Sequence, residues 1–326
     1  MSAYIDLHLH LDGSLSVPMA RRLAELQNME LPGSDAELER QLKCPENCQD
    51  LNDYLKCFDL PLTLLQTTEG ISEAVYLLQE ELQEQGLIYA EIRFAPQLHC
   101  DRGLIQTEVV KAAIEGLNRS SFHANLILCC MRGDDNKEEN METVRIARKA
   151  LKKGVVGIDL AGAEGLFPTR DFSEIFELAC EINVPFTIHA GEADGPKSVK
   201  RAIEFGAKRI GHGVRSYEDP ILMDMLSDQE ITLELCPKSN LDTCIFPSLK
   251  DYPIKQYLEY GIPVTVNTDN MEVSDTTVEK EMQSLIDTFG LTDKQVYQLE
   301  MNAVNASFAD EKLKKELRKT LKEKML

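Results

Sequence analysis

Eight short, β-rich apolar runs with helical patterns between them constrain this 326-residue chain more than any other feature. The runs are Tyr4–His10, Ile88–Pro96, Ala124–Arg132, Val155–Gly162, Pro185–Glu192, Arg209–Val214, Ile231–Pro237 and Pro263–Asp269. Between them, segments such as Ile71–Gln85, Val109–Leu117, Thr143–Leu151, Phe172–Cys180, Ser198–Phe205 and Pro220–Leu226 carry apolar residues at three- and four-residue spacing, the period of a helix with one buried face. Strands that are apolar almost throughout and alternate with helices predict a parallel sheet covered on both faces. Eight such units predict an α/β fold closed into a (β/α)8 barrel. No Pro/Gly/Ser linker, low-complexity tract or short repeat divides the chain, so one domain over residues 1–326 is expected.

Two regions exceed the repeat. Between the first two strands the chain runs from Leu11 to Leu87, far longer than one crossover helix needs. Residues 31–66 therefore read as a helical insert after strand 1. It carries an apolar stripe at Leu51, Tyr54, Leu55 and Phe58 that is either plain core or a lid over the mouth of the barrel. From about Ser274 the chain predicts extra C-terminal helices, the last of which, around Glu311–Lys319, reads as a charged, solvated face.

Charge and cysteine usage narrow the function classes. With 55 acidic against 35 basic residues the formal charge is −20, which repels phosphate backbones and anionic lipid surfaces, so neither a nucleic-acid nor a membrane partner is expected. Nine cysteines, odd in number and without a Cys-x-x-Cys pair, argue against a disulfide framework and for a reducing cytoplasm. No basic-then-apolar leader or long apolar stretch is present, which disfavours secretion and membrane spanning. Nothing in the sequence sets the oligomeric state.

His8 and His10 end the first run one residue apart. On an extended strand alternate side chains share a face, so two imidazoles at i and i+2 can reach one metal ion. Alone, such a pair is more often incidental than catalytic. Here His189, His212 and Asp269 also stand at the ends of apolar runs, the positions that carry reactive groups in a (β/α)8 barrel. Three imidazoles and a carboxylate suit zinc. His99 and His123 have no acidic or cysteine partner nearby and read as surface or loop histidines. Cys44 and Cys48, at i and i+4, could share a helix face but lack two further ligands for a second metal, and Cys129 and Cys130 read as small apolar filler.

The motifs His8-Leu-His-Leu-Asp-Gly-Ser, Leu128-Cys-Cys-Met-Arg132, Asp159-Leu-Ala-Gly-Ala-Glu164, His189-Ala-Gly-Glu192, Gly211-His-Gly213, Cys236-Pro237 and Asn267-Thr-Asp-Asn270 occur in this order, each at its own strand end. In this set the chain resembles the adenosine deaminase family nearly end to end. The resemblance implies one Zn2+ per chain held by His8, His10, His189 and Asp269, with water completing the site. It implies His212 as the group that positions or deprotonates that water, Glu192 as the proton donor to purine N1, and Asp269 as both ligand and acceptor from the water. The substrate would be a purine nucleoside, adenosine or 2′-deoxyadenosine, deaminated to inosine or 2′-deoxyinosine and ammonia in purine salvage. His10, Asp12, Gly162 and Asn270 would bind it: Asp12 at the ribose 5′-hydroxyl, the Gly162 N–H at N3, Asn270 at N7, with Leu51, Tyr54, Leu55 and Phe58 as the lid. Asp12 and Gly162 also have plainer readings, a helix cap or Asx turn and a tight turn after strand 4. Asn270 departs from the family's more common aspartate, but an amide can donate to the N7 acceptor where an ionised carboxylate cannot. Strand 4 contains no lysine to bridge two metals, which favours one. Alternatives within the fold are deamination of adenine, of an N6-substituted or 5′-phosphorylated nucleoside, or of an aminofutalosine; outside it, a catalytically silent zinc-binding protein.

Overall fold

The computed structural model describes residues 3–325. Eight parallel strands form in the order of the chain: β1 (Tyr4–His10), β2 (Leu87–Phe94), β3 (Ala124–Met131), β4 (Val155–Ala161), β5 (His189–Ala190), β6 (Arg209–His212), β7 (Thr232–Leu235) and β8 (Val264–Val266). Hydrogen bonding groups them into two four-stranded sheets, β1-β2-β3-β4 and β5-β6-β7-β8. Isolated parallel bridges join the sheets at both edges, Ile158 to Phe186 on one side and Leu9 to Asp269 on the other. The strands thus follow one another round a ring, in the (β/α)8 arrangement, with single bridges at its two seams. The expected run Pro185–Glu192 forms a ladder only at His189 and Ala190; its earlier part meets β4 through Ile158 N–H to Pro185 O and Thr187 N–H to Ile158 O, both 3.0 Å.

The helices follow from their apolar stripes. Helix Thr68–Glu84, capped by the Thr67 hydroxyl on Gly70 N–H, buries Ile71, Ala74, Val75, Leu78 and Leu82. It packs against helix Gln106–Leu117 so closely that a Cβ on Gly116 would lie 2.3 Å from the Ser72 carbonyl oxygen. The insert folds as helices Asp35–Leu42, Leu51–Leu55 and Asp59–Leu64, the first closed by a Ser34/Glu37 capping box. After β8 come helices Val278–Phe289, Asp293–Ala306 and Glu311–Met325. The last differs from the solvated face expected of it: Leu317 and Leu321 are buried in a cluster with Ala3, Ile5, Leu7 and Tyr89, where β1 begins. Its lysines cover one side of an amphipathic helix, and charge density in the sequence hid the two leucines a turn apart.

Sequence expectation also fails at two other places. His99 is buried, in a short 3-10 turn (Pro96–His99) behind β2, and burial pushes its pKa down to about 4. His123, by contrast, is exposed. Cys44 and Cys48 share no helix; they flank a turn closed by Cys48 N–H to Pro45 O.

Candidate active site

Strand ends deliver the donor atoms. Both β1 imidazoles emerge on one face, β5 brings His189, and Asp269 follows β8, its backbone paired with β1 through Asp269 N–H to His8 O and His10 N–H to Asp269 O. His8 Nε2 stands 3.0 Å from His189 Nε2 and 3.3 Å from Asp269 Oδ1. His10 Nε2 lies 3.2 Å from His189 Nε2 and 3.4 Å from Asp269 Oδ1. Donors about 2 Å from a tetrahedral zinc ion are about 3.3 Å from one another. The far sides of two rings are fixed by carboxylates: His8 Nδ1 is 2.8 Å from Glu234 and His189 Nδ1 is 2.8 Å from Asp159. Protons held on that side leave two Nε2 lone pairs facing each other, a repulsion that a cation between them removes. The residues present therefore fit a metal ion. A second grouping, His8, His212, Cys236 and Asp269, shares two of these donors.

Beyond the ligand cluster, a buried charge lattice links the strands. Arg93 on β2 reaches Asp159 on β4 and Glu234 on β7, 2.8 Å to each, and Arg209 on β6 binds Glu234 and Glu91. The guanidinium groups hold Glu234 well below the usual carboxylate range against the effect of burial, which raises it. Thus the carboxylates that orient His8 and His189 are themselves held in place. The signal that could have found them was single charged residues inside otherwise apolar strands.

His212 closes β6 with φ +57°, a left-handed conformation unusual for a side chain of this size. Its Nε2 is 3.7 Å from Glu192 Oε2 and 3.9 Å from Asp269 Oδ2, and its Nδ1 is 3.1 Å from the Asn240 amide nitrogen. Ser239 donates to Asp269 Oδ2 at 2.6 Å. Glu192 is buried; burial first, then the Asp269 and Glu164 carboxylates, push its pKa well above the usual carboxylate value.

Every site residue expected from the sequence except His8, which lies behind the others, lines one cavity of about 300 Å³. Asp12 is buried in it, pairs with no cation among the described residues, and is raised to about 6 chiefly by desolvation. It is no cap of the following helix, whose N-cap is Ser16. Gly162, at φ +106°, sits where a left-handed backbone favours glycine. Asn270 Oδ1 is buried with no hydrogen-bond partner among the described residues. The four insert residues Leu51, Tyr54, Leu55 and Phe58 form the apolar wall, and the Tyr54 hydroxyl reaches Ser274 at 2.7 Å, tying the insert to the loop after β8. The single cation in the lining, Arg132, is spent on Phe167 O, Thr169 Oγ1 and His189 O.

Known proteins share this chain's sequence and fold. The family model described as adenosine deaminase matches residues 4–324. An adenosine deaminase of Haemophilus ducreyi is 50% identical over 322 residues, covering 96% of this chain and 94% of that protein. Among solved structures, an adenine deaminase from Arthrobacter aurescens superposes with a TM-score of 0.88 at 26% identity, covering 98% of each chain. An N6-methyl-AMP deaminase from Arabidopsis thaliana gives 0.84 at 25%, covering 99% of this chain and 96% of the other. A match that spans the whole ring of strands, together with donors and acids at the strand ends where the motifs place them, leads to one statement of kinship: the chain belongs to the adenosine deaminase family.

Proposed function

We propose that this enzyme hydrolytically deaminates adenosine and 2′-deoxyadenosine, with one zinc ion held by His8, His10, His189 and Asp269. The observation that carries the reading is the meeting of three imidazole nitrogens and one carboxylate oxygen at 3.0–3.4 Å contacts, with the buried Glu192 carboxyl in the same cavity, 3.7 Å from His212 Nε2. When bound, zinc supplies Lewis acidity that makes water nucleophilic near neutral pH.

The chain's own groups do the rest. His212, between Glu192 and Asp269, orients the attacking water and takes its proton. Glu192 gives its proton to purine N1, so that the ring accepts the electron pair displaced as C6 becomes tetrahedral; His212 then passes the proton it took from water to the 6-amino group, which leaves as ammonia, and the C6 hydroxyl proton returns to Glu192, leaving the 6-oxopurine. Gly162 N–H meets N3, Asn270 donates to N7, and Asp12 accepts from the ribose 5′-hydroxyl. Residues 31–66 cover the mouth as a lid on a single domain, excluding bulk water. Asp12 also selects against nucleotides. A phosphate placed opposite this uncompensated carboxylate costs several kcal/mol per charge pair, about 4 at 4 Å and an effective dielectric of 20. All nine cysteines are free thiols, which supports a reducing, cytoplasmic setting, and no described helix is long and apolar enough to cross a membrane.

The test is a substrate panel on zinc-replete protein: adenosine, 2′-deoxyadenosine, adenine, AMP and N6-methyl-AMP. The two nucleosides should have the highest kcat/KM. Preference for adenine or for either nucleotide would transfer the reading to the chemistry named for its structural neighbours.

A further inference from the structure

The loop that carries Glu192 is held by a carboxylate to which no motif assigns a role. Glu164, in the turn after β4, is almost fully buried and accepts four successive backbone N–H groups: Gly191 at 2.8 Å on Oε1, then Glu192 at 3.0, Ala193 at 2.6 and Asp194 at 3.0 Å on Oε2. Residues 191–194 lie in neither helix nor strand. Without Glu164 these four donors would be orphaned. Successive amides turned to one point form an anion-binding nest, and here the anion comes from the neighbouring loop. The loop is shaped for this contact: Gly191 has φ +73°, and a Cβ there would lie 2.4 Å from Val199 Cγ2. Arg215 grips the carbonyl side, donating its N–H to Gly191 O at 3.0 Å and Nη1 to Ala193 O at 2.9 Å.

The Glu192 side chain has no hydrogen bond of its own among the described residues; His212 Nε2 lies 3.7 Å from its Oε2. Its aim is therefore set by its backbone, and the backbone N–H of Glu192 is one of the four that Glu164 holds. We propose that Glu164 is a positioning residue for the reaction, fixing the loop 191–194 so that the Glu192 carboxyl points at the site of proton transfer. This rests on the proton-donor role given to Glu192 above.

Glu164→Gln retains size but replaces one acceptor oxygen with a donor that opposes an N–H, and it removes the charge. In zinc-replete enzyme it should lower kcat for adenosine about 10- to 100-fold, the cost of misplacing a reacting group by about 1 Å, while KM changes less than about threefold. In a Glu192→Gln background the same change should cost less than about threefold more, because the group it positions is already lost. Full additivity, or a loss confined to KM or zinc content, would overturn the inference. Adenosine turnover by the parent and its loss in Glu192→Gln test the underlying reading separately, so an additive cycle on an active parent sinks this inference alone. Hydrogen exchange on the unaltered enzyme decides the matter if Glu164→Gln does not fold. Slow exchange of the Gly191–Asp194 amides supports the nest, and exchange at open-loop rates contradicts it.

Discussion

The two halves of the ring are built differently. Strands β1–β4 run seven or eight residues in long ladders, whereas β5–β8 run two to four. The first half supplies regular geometry: His8 and His10 converge because an extended strand turns alternate side chains the same way. In the second half the chain leaves its ladders early, and there Glu192 sits in a bend while His212 and Asp269 take φ values of +57° and +62°. Such conformations cost of order 1–3 kcal/mol each and persist where surrounding contacts over-determine them. Here those contacts are Asn240 and Ser239 on the short helix after β7 and Glu164 from the turn after β4. On the proposed reading, the long strands hold the scaffold and the two β1 imidazoles, while Glu192 and His212, the groups proposed to move protons, stand where backbone regularity has been given up.

The largest test of this division lies in the second half. Glu192→Gln should leave metal content unchanged and lower turnover at least ~100-fold, the lower range for losing a general acid; steady-state kinetics beside metal analysis would show it, and near-normal turnover would break the comparison. Next, Asp12→Asn in the first half should weaken adenosine binding modestly and raise the AMP-to-adenosine ratio of kcat/KM by at least about 10-fold, since each ~1.4 kcal/mol of repulsion relieved is tenfold. An unchanged ratio would give Asp12 a structural role only.

Smaller effects separate the halves by pH. His99, behind β2, has a folded pKa of about 4 against 6.5 for the free side chain, so its contribution to stability is present above pH 6.5 and lost as pH falls through 4. Replacing it with leucine should flatten that acid decline, on the order of 3 kcal/mol at most, in denaturant melts between pH 7 and 4. Glu281, buried after β8 and raised to about 8 mainly by burial, has the opposite sign: its contribution is present below pH 4.5 and lost as pH rises through 8. Glu281→Gln, whose single amide oxygen can accept from either the Thr276 hydroxyl or the Lys238 N–H but not from both, should flatten the alkaline decline and leave the acid one unchanged.

The division was only partly legible in the sequence. Alternating apolar runs and helical stripes disclosed the strand order, because period and length are local properties. The donors at β1, β5 and β8 were legible through the i, i+2 histidines and the motif set. Ladder length was not: Pro185–Glu192 is uniformly β-like, yet only His189 and Ala190 pair with β6, since pairing depends on the neighbour's register. His99 was misplaced because its polarity suggested solvent, whereas its burial beside Phe94 is a tertiary fact. Glu164 and Asn240 were invisible for the same reason. Their partners lie 28 residues away in the chain, for Glu192 and His212 alike, and no periodicity records such a contact.

The most direct test compares His10→Ala with His212→Ala in zinc content and adenosine turnover after identical preparation. His10→Ala should lose both metal and activity, because three protein ligands remain of four. His212→Ala should retain about one zinc per chain and lose turnover alone. Loss of zinc from His212→Ala, with zinc retained by His10→Ala, would place the metal among His8, His212, Cys236 and Asp269 and contradict the division of labour between the halves.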